Sequence, residues 1–522
     1  MTIPNVACRK TPIRMDKGKP ARCLPAPILP VRAPMHIHKS LFRHPPGPLN
    51  LNGATGLTWR HAYRMVFDPI GFMQQSANRY GDISFFRLFG KRGYLLNHPE
   101  LIAQVLIHQS DAFQKLPRQR NVVQQILGNG ILVSEGETWR HDRQHLQQAF
   151  GTALLERSAV SSVNLTQKML DAWDNDVTQD MNWEMTRITA EIASQVLIGE
   201  DDPEIVDQLT HAVMVISDEF SHEMNSICTL PDWLPLPRKR RKTVALKFYR
   251  DLMERLIRKE KTDPSSEWNF IKFLLSSRPS TNTNPSFVSD QILTILIAAY
   301  HATSMALVWL FHVLSEHPTI ESRVVQELAT LGEAPLNRNH LQQLPYLKNV
   351  INETMRLYPP AWALFARISI KPVQMRGFEI EPGGWFYISP FVTHRTADFF
   401  TDPLVFDPER FTPQRKKEIP KHAFFPFGLG GRACIGQRMA TEQLLLMAGT
   451  ILRRFQLQKI VPGQPVELEG RLALRPKHPL KMKSRARVRR PGEEIAIENP
   501  KPAHGLSQAV CPFMADPENQ PG

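Results

Sequence analysis

The segment FGLGGRACIG, residues 427–436, carries the pattern that decides how the whole sequence is interpreted. Its glycines at Gly428, Gly430 and Gly436 would let the backbone wrap closely around the sulfur of Cys434 without Cβ clashes. Backbone N–H groups directed at a metal-bound thiolate stabilise its negative charge and tune the metal. A glycine-rich turn that happens to hold a buried cysteine is the alternative, but the full constellation favours a loop that presents Cys434 to a metal.

The residues beside this cysteine extend the same interpretation. An aromatic ring at Phe427 would shield the sulfur from water, and Arg432 offers a cation to a nearby anionic group. A helical pattern runs over residues 437–455, so the positive end of a helix dipole also favours the thiolate. These features predict an anionic cofactor held next to Cys434.

The ten-residue segment resembles, at every defined position, the haem-binding loop F-x-x-G-x-R-x-C-x-G of the cytochromes P450, a family whose haem iron is held by a cysteine. The resemblance covers about residues 45–490. It implies one large, mainly α domain with a small β portion, the cytochrome P450 fold. It also implies heme b, iron protoporphyrin IX, with the thiolate of Cys434 as the axial metal ligand.

Further motifs follow in the order that the family has. Glu353 and Arg356 resemble its E-x-x-R pair, whose side chains share a helix face, and Arg410 stands where an arginine completes a Glu–Arg–Arg cluster. Trp139 and Arg143 resemble the W-x-x-x-R helix that contacts a haem propionate, and other propionate partners would be Arg367 and Arg432. The resemblance implies a cofactor site of Cys434, Phe427, Gly428, Gly430, Arg432, Gly436, Trp139, Arg143 and Arg367.

Between Asp290 and Glu316 the chain is apolar and free of charged residues, which predicts a helix buried through the centre of the protein. In the family this helix usually reads A-G-x-(D/E)-T-(T/S), but here His301 takes the acid position and Ala302 the threonine position. A histidine relays protons near neutral pH. We therefore predict His301 and Thr303 as catalytic residues. The predicted substrate pocket consists of Ala298, Ala302, Trp362 and Phe365.

The lost hydroxyl at Ala302 leaves three explanations open. A substrate hydroxyl or Thr303 replaces it, the enzyme uses peroxide, or it catalyses an oxidation or rearrangement other than plain hydroxylation. The resemblance implies a monooxygenase of secondary metabolism that inserts oxygen from O2 into an apolar small molecule, such as a terpenoid or a fatty acyl compound. A haem sensor or carrier without turnover is a further alternative.

Composition limits the partners and the compartment. The 522 residues include five cysteines, none spaced as C-x-x-C, which excludes zinc ribbons and thioredoxin-type motifs and favours a reducing compartment. No apolar run reaches the roughly 18 residues of a transmembrane helix. No flavin or iron–sulfur segment is visible, so electrons would come from a separate ferredoxin and its NAD(P)H-dependent reductase. We expect a cytoplasmic monomer.

The net charge of +14 is concentrated in the leader, where residues 1–44 hold nine Lys or Arg and one Asp. We predict a disordered, proline-rich extension over residues 1–44 and a polar, proline-rich tail over residues 491–522. The basic run RKRRK, residues 238–242, opens an amphipathic pattern and is predicted to be a solvated helix start, so no nucleic-acid partner is expected. The chain from residue 59 to 259 is mostly helical in pattern, and residues 365–392 predict a small sheet.

Overall fold

Helices form most of the chain that the computed structural model describes, namely residues 44–47, 58–88, 90–200, 202–226, 230–262, 269–276 and 285–487. Many of them begin with proline in the first turn, where its missing N–H costs no hydrogen bond. In chain order they are α1 (Thr58–Phe67), α2 (Pro69–Tyr80), α3 (Pro99–Ala103), α4 (Pro117–Leu127), α5 (Gly136–Ala149), α6 (Thr152–Asp171), α7 (Met181–Ile198), α8 (Pro203–Asn225), α9 (Pro237–Thr262), α10 (Phe270–Ser276), α11 (Pro285–Glu316), α12 (Pro318–Ala329), α13 (Pro345–Leu357), α14 (Pro390–Thr393) and α15 (Gln437–Arg454).

Short strands form four small sheets in the described residues. The strands are β1 (Ile83–Leu88), β2 (Lys91–Leu96), β3 (Phe113–Lys115), β4 (Val177–Asp180), β5 (Arg367–Ser369), β6 (Val373–Met375), β7 (Phe378–Ile380), β8 (Trp385–Ile388), β9 (Phe455–Lys459), β10 (Leu468–Gly470), β11 (Leu474–Pro476) and β12 (Lys481–Ala486). The largest sheet has the order β1-β2-β8-β5-β3, and β2 and β8 are its parallel pair. The mainly α fold with a small β portion is thus confirmed. The predicted leader before residue 44 and the tail after residue 490 lie outside the described residues.

The central helix α11 confirms the prediction of a buried apolar helix. It packs along α7, and its Trp309 is fully buried with the indole Nε1 donating to the carbonyl oxygen of Leu474 at 2.9 Å. By length and hydropathy its Ser286–Glu316 part would suffice to cross a membrane, but 78% of its most apolar window is buried inside the protein. Such burial is typical of the core helix of a globular protein.

The strands β1 and β2 interrupt the part of the chain that the pattern describes as mostly helical. Phe85 packs in a smaller apolar core with Phe386, whereas its neighbour Phe86 packs in the main core with Phe72. Both faces of this hairpin are therefore buried. A strand buried on both faces shows no alternation of polar and apolar residues, so periodicity alone does not distinguish it from a buried helix.

The prediction of a solvated start for α9 is wrong for two of its basic residues. Lys239 is 5% exposed and Lys242 is 1% exposed, because both ammonium groups turn inward to Glu223 at the end of α8. They also contact Asp232 in the connection between the two helices. A buried charge is tolerated only when it is paired and hydrogen-bonded, and here the acids of α8 provide that pairing.

Candidate functional site

The loop before α15 is held in a shape that requires glycine. Gly428 and Gly430 have φ angles of +75° and +69°, which lie in the left-handed region that residues other than glycine rarely adopt. The turn closes through a hydrogen bond from the backbone N–H of Cys434 to the carbonyl oxygen of Phe427 at 2.8 Å. This arrangement places Cys434 directly before the N-terminus of α15.

Close packing adds a second reason for the glycines of the loop. A Cβ atom on Gly430 would lie 2.1 Å from the carbonyl oxygen of Leu106, and one on Gly436 would lie 3.3 Å from the ring of Phe150. At Gly431 the nearest atom would belong to the ring of Trp139, at 3.1 Å. The loop is therefore packed tightly on α5 and on the segment after α3, which fixes the position of Cys434.

The thiol of Cys434 is both accessible and partly desolvated. Its side chain is exposed, yet desolvation by the surrounding protein raises its pKa. The backbone N–H of Gly436 and the guanidinium of Arg143 act in the opposite direction and favour the thiolate. A metal at this sulfur would complete the deprotonation.

Basic side chains gather beside this thiol from separate parts of the chain. Arg432 stacks on Trp139, with its Cζ 3.7 Å from the ring centroid, and donates to the carbonyl oxygen of Ser134 at 2.9 Å. It also forms an ion pair with Glu135. Desolvation, which outweighs this pairing, lowers the pKa of Arg432 to about 10. We call the set Lys115, Arg143, Arg367 and Arg432 the cation cluster.

Lys115 belongs to this cluster and was missed in the sequence. The register of β3 against β5 places Lys115 opposite Arg367, so two cations lie side by side. The Nζ of Lys115 donates to the carbonyl oxygen of Leu132 at 2.5 Å and lies 4.0 Å from Glu135. Burial, followed by the charge of Arg432, lowers its pKa to about 7. No local motif marks Lys115, because the strand pairing that creates its surroundings is tertiary.

The charges of this site fit the haem that the resemblance implies. Glu135 is the one acidic side chain among the described residues that acts on Lys115, Arg367 and Arg432, so the cluster carries a positive excess in a partly desolvated place. Burial also lowers the pKa of Arg143 and of Arg367. An anionic group with two carboxylates, such as the propionates of a haem, would relieve this repulsion. The thiol of Cys434 lies beside this cluster, and it is the side chain that the resemblance implies as the metal ligand.

The helix α11 contributes a small-residue face to the site. Ala298 and Ala302 lie one turn apart and are both exposed, although the helix around them is buried. Thr303 is buried and lies about 100° around the helix from Ala302. The two alanines therefore keep accessible surface in an otherwise buried helix, whereas Thr303 faces another direction. The role of the alanines in a substrate pocket stays a prediction.

His301 is half-buried and its ring stacks on that of Tyr300 at 5.6 Å between centroids. Desolvation lowers its pKa to about 4, so the imidazole is neutral at physiological pH. Its Nδ1 has no hydrogen-bond partner within the described part of the chain. The nearest charges that act on the ring belong to Arg475 and to Asp218 of α8. The His301 side chain thus lies on the side of α11 that faces α8. Its catalytic role stays a prediction.

The two predicted pocket residues after α13 occupy different surroundings. Trp362 is buried, and its indole Nε1 donates to the carbonyl oxygen of Arg471 at 2.8 Å. Its own carbonyl oxygen accepts from the Ser389 hydroxyl at 2.6 Å. Phe365 is half-buried, and its carbonyl oxygen accepts from Arg367 at 2.6 Å. Trp362 is thus held in the core, whereas Phe365 retains accessible surface beside the cation cluster. The pocket role of both residues stays a prediction.

The predicted Glu–Arg–Arg cluster is assembled in the core. Glu353 Oε2 accepts from Arg356 Nε at 2.7 Å, and Glu353 Oε1 accepts from Arg410 Nε at 3.3 Å. Arg356 also donates to the carbonyl oxygens of His394, Pro403 and Val405 at 2.6–3.1 Å. All three charged side chains are buried, and the first two have no exposed surface. They bond to the protein itself and do not reach the cavity.

His394 connects this cluster with the Cys434 loop and was also missed in the sequence. Its carbonyl oxygen accepts from Arg356 at 2.8 Å, while its ring Nε2 accepts from the backbone N–H of Phe425 at 3.0 Å. Burial and the neighbouring Arg356 lower its pKa to about 3, so the ring stays a neutral acceptor. Phe425 lies two residues before Phe427, where the loop begins, so His394 anchors the approach to the loop.

Comparison with known proteins points to one family. A family model described as Cytochrome P450 matches residues 45–483. Among curated proteins, the cyclooctat-9-en-7-ol 5-monooxygenase of Streptomyces melanosporofaciens is 30% identical over 429 residues, which cover 80% of this chain and 90% of that protein. The pentalenene oxygenase of Streptomyces avermitilis is 27% identical over 439 residues, which cover 83% of this chain and 96% of that protein.

The fold is similar to that of a solved cyanobacterial structure. The retinoic acid bound CYP120A1 superimposes with a TM-score of 0.73 at 27% sequence identity. The match covers 85% of this chain and 99% of that one. The long central helix and the cysteine loop therefore belong to an architecture that extends over nearly all of the described residues.

Proposed function

This chain belongs to the cytochrome P450 family of monooxygenases, and on that premise we propose that it inserts one oxygen atom of O2 into a terpenoid. The observation that carries the proposal is the thiol of Cys434 beside an excess of cations, in a loop whose left-handed glycines hold it just before α15. The names of two bacterial relatives, a cyclooctatenol monooxygenase and a pentalenene oxygenase, support the substrate class.

We propose that heme b is held between α11 and the Cys434 loop. The thiolate of Cys434 would ligate its iron, and the cation cluster would bind its carboxylates. When bound, the haem supplies the redox chemistry that activates O2, and a cysteine ligand increases electron density for cleavage of the O–O bond. The protein's own part is to orient the group, keep the sulfur ionised and exclude bulk water.

The pocket residues would then decide what is oxidised. Ala298 and Ala302 would leave room beside the cofactor for a bulky apolar substrate, and the half-buried Phe365 would add an apolar wall. The neutral His301 donates or accepts one hydrogen bond at its edge, which suits a substrate hydroxyl or a water but not a charged group. Thr303 would take part in proton delivery only if a water bridges it to the cavity, because its side chain faces elsewhere.

The remaining reaction partners follow from the same proposal. Oxygenation of a C–H bond by O2 needs two electrons and two protons and yields an alcohol and water. A separate ferredoxin and its NAD(P)H-dependent reductase would supply the electrons to a cytoplasmic, monomeric enzyme without a nucleic-acid partner. The burial of α11 within the core supports a protein that does not span a membrane with this helix.

The test is a Soret-band titration of the purified ferric protein with a panel of cyclic diterpenes and sesquiterpenes, fatty acids and steroids. A spectral shift with terpenes alone is expected, followed by product that contains oxygen from labelled O2 when ferredoxin and reductase are added. The Cys434→Ser variant is expected to lose the thiolate-type spectrum. A protein that binds haem but neither shifts with terpenes nor consumes reductant would contradict the proposal.

A peroxide-driven or non-hydroxylating reaction is a second candidate, because Ala302 brings no hydroxyl to the cavity face of α11. In the peroxide reaction a C–H bond and hydrogen peroxide give an alcohol and water, so no external electrons are needed. Comparing turnover by O2 plus reductase with turnover by peroxide separates the two. The Ala302→Thr variant is expected to raise the O2-driven rate and leave the peroxide-driven rate unchanged.

A further inference from the structure

Two histidines lie one turn apart on the outer face of α5. His141 is exposed and His145 is half-buried, and their ring centroids are 4.1 Å apart with 39° between the ring planes. Residues at i and i+4 share one side of a helix, with Cβ atoms about 5–6 Å apart. The sequence shows this spacing as HDRQH, residues 141–145, but only the structure shows that the two rings meet. We call the two residues the histidine pair.

The Nδ1 atom of His145 is engaged by the helix backbone. It lies 2.9 Å from the carbonyl oxygen of His141, and because a carbonyl oxygen only accepts, Nδ1 carries the proton. In the neutral imidazole the lone pair is then on Nε2. A histidine that ligates a metal almost always donates its other ring N–H to a backbone carbonyl, a carboxylate or a water, which fixes the tautomer and the ring orientation. His145 therefore already has the arrangement of a metal ligand.

His141 has a carboxylate close to the same atom of its ring. Its Nδ1 lies 3.8 Å from Asp142 Oδ1, and the Asp142 side chain is 2% exposed. At this distance the contact is electrostatic and not a hydrogen bond. The negative charge favours the proton on Nδ1 and leaves the lone pair on Nε2. Neither Nε2 atom of the histidine pair has a hydrogen-bond partner among the residues that the structure describes.

The helix beneath the histidine pair is fixed by packing. On the inner face of α5, Leu146 and Ala149 are buried in the main core. Arg140, which directly precedes His141, pairs with Glu137 one turn earlier, so a metal ion at the pair would not meet an uncompensated guanidinium there. Ligands on a rigid element are already close to their bound positions and lose little conformational entropy when they bind.

We propose that the histidine pair is a chelating site for a divalent transition-metal ion, with Zn²⁺ bound through the two Nε2 atoms. Imidazole nitrogen is a preferred ligand of zinc, copper and nickel, and two histidines at i and i+4 on one helix face recur in zinc sites. No set of three or more His, Cys, Asp or Glu side chains in the described residues is arranged to hold a metal. Water would therefore fill the other coordination positions, and the ion would exchange with the solvent.

Stacking of the two rings without a metal is the alternative explanation of their contact. It predicts no gain in metal affinity over two separate surface histidines, whereas chelation depends on their spacing along the helix. The ligand atoms also select the class of ion, because Ca²⁺ and Mg²⁺ prefer oxygen and the pair offers nitrogen. The inference does not rest on the proposed reaction, since metal binding on the outer face of α5 requires neither turnover nor a substrate.

The test is calorimetric titration of the full-length, haem-loaded protein with Zn²⁺. His141→Ala and His145→Ala are each expected to weaken zinc binding at this site by at least about 10-fold, since loss of a ligand costs no less than loss of its hydrogen-bond partner. With Cu²⁺ as the probe, electron paramagnetic resonance of the wild type should show coupling to two imidazole nitrogens that is lost in both variants. His211→Ala removes an exposed histidine of α8 and should bind zinc as the wild type does.

Two matched variants separate chelation from the number of histidines. In the His145→Ala background, Gln144→His creates an i, i+3 pair and is expected to recover zinc binding, whereas Gln147→His puts the new ring on another side of the helix and is not. Both glutamines are exposed, and an unchanged Soret band verifies folding of every variant. Equal zinc binding by the wild type and the two alanine variants would overturn the proposal. So would equal recovery by Gln144→His and Gln147→His, which would make the number of histidines decisive and not their spacing.

Discussion

Two clusters of buried charge, both marked by motifs in the sequence, differ in how their charges are satisfied. In the cluster of Glu353, Arg356 and Arg410 the carboxylate bonds to both guanidinium groups, and backbone carbonyl oxygens accept the remaining donors. The cation cluster instead brings Lys115, Arg367 and Arg432 to one carboxylate, that of Glu135, and places Arg143 beside Cys434. One cluster is complete within the protein, and the other has a positive excess that faces the cavity.

The difference separates a structural role from a binding role. A buried ion pair whose partners are all present loses much stability when one partner is removed, because the other is left unpaired. A cluster with surplus like charge is destabilised by its own repulsion, and removal of one charge relieves the apoprotein. Replacing a charged residue by a neutral one should therefore lower the stability of the fold in the Glu353 cluster. In the cation cluster it should weaken cofactor binding without lowering the stability of the apoprotein.

The largest effect is expected for Glu353→Gln. It leaves Arg356 and Arg410 buried without a carboxylate, which costs about 3–5 kcal/mol in free energy of unfolding. We expect little folded protein, measured by soluble yield and by guanidinium unfolding of what remains. The exposed Glu100→Gln on α3 is the matched control and should unfold like the wild type. A Glu353→Gln protein of normal stability would show that the cluster is not structural.

A smaller and opposite effect is expected for Arg367→Gln and Arg432→Gln. Each removes a charged hydrogen bond to a haem carboxylate worth about 1.5–3 kcal/mol, so the affinity for haem should fall about 10-fold to 150-fold. The apoprotein should keep or gain stability, because repulsion in the cation cluster decreases. Haem transfer to apomyoglobin measures the affinity, and Arg415→Gln, which loses a pair with Asp407 far from the cavity, serves as control. A loss of apoprotein stability without a loss of haem affinity would reverse the assignment.

Acid should weaken the fold through histidines that burial keeps neutral. The pKa is lowered to about 4 in His301 and His312 and to about 3 in His394. Because the unfolded chain binds these protons first, the free energy of unfolding should fall as pH drops from 6.5 towards 4, by up to about 1.4 kcal/mol per pH unit for each group. Above pH 6.5 their contribution is fully present.

Thermal unfolding between pH 7 and pH 4.5 measures this slope. His312→Gln should flatten it by up to about 1.4 kcal/mol per pH unit, since one of the buried rings no longer titrates. The exposed His478→Gln is the control and should leave the slope as in the wild type. An unchanged slope in His312→Gln would mean that the ring is protonated in the folded protein.

The smallest effect is expected at Lys115. Its pKa is lowered to about 7 in a cluster of like charges, and haem carboxylates would favour its charged form, so haem binding should take up a proton above pH 7. Wild-type affinity for haem should therefore decline as pH rises from 7 to 9. Lys115→Met should abolish that decline and weaken binding at pH 7 by about threefold. A pH-independent affinity in the wild type would exclude Lys115 from the cofactor site.

Sequence motifs predicted some of the contacts in these clusters, and the others depend on how distant elements pack together. Glu353 and Arg356 are three residues apart on one helix, so their contact follows from helical geometry, and the glycines around Cys434 follow from the left-handed backbone of a tight loop. Lys115 and His394 carry no such local signature. Their environments arise because β3 pairs with β5 and because the chain after α14 returns to the start of the cysteine loop.

The sequence by itself determined the mainly α architecture, the family and the Cys434 loop, because each depends on residues that are close in the chain. Only the tertiary structure decided that Lys239 and Lys242 are buried, that Ala298 and Ala302 are exposed while Thr303 is buried, and that Lys115 lies beside Arg367 and Arg432. The physical reason is that burial and pairing of a charge depend on which distant element packs against it. For α9 that element is the acidic end of α8. Its Glu223 pairs with Lys239 and Lys242 inside the protein, where the sequence predicted a solvated basic run.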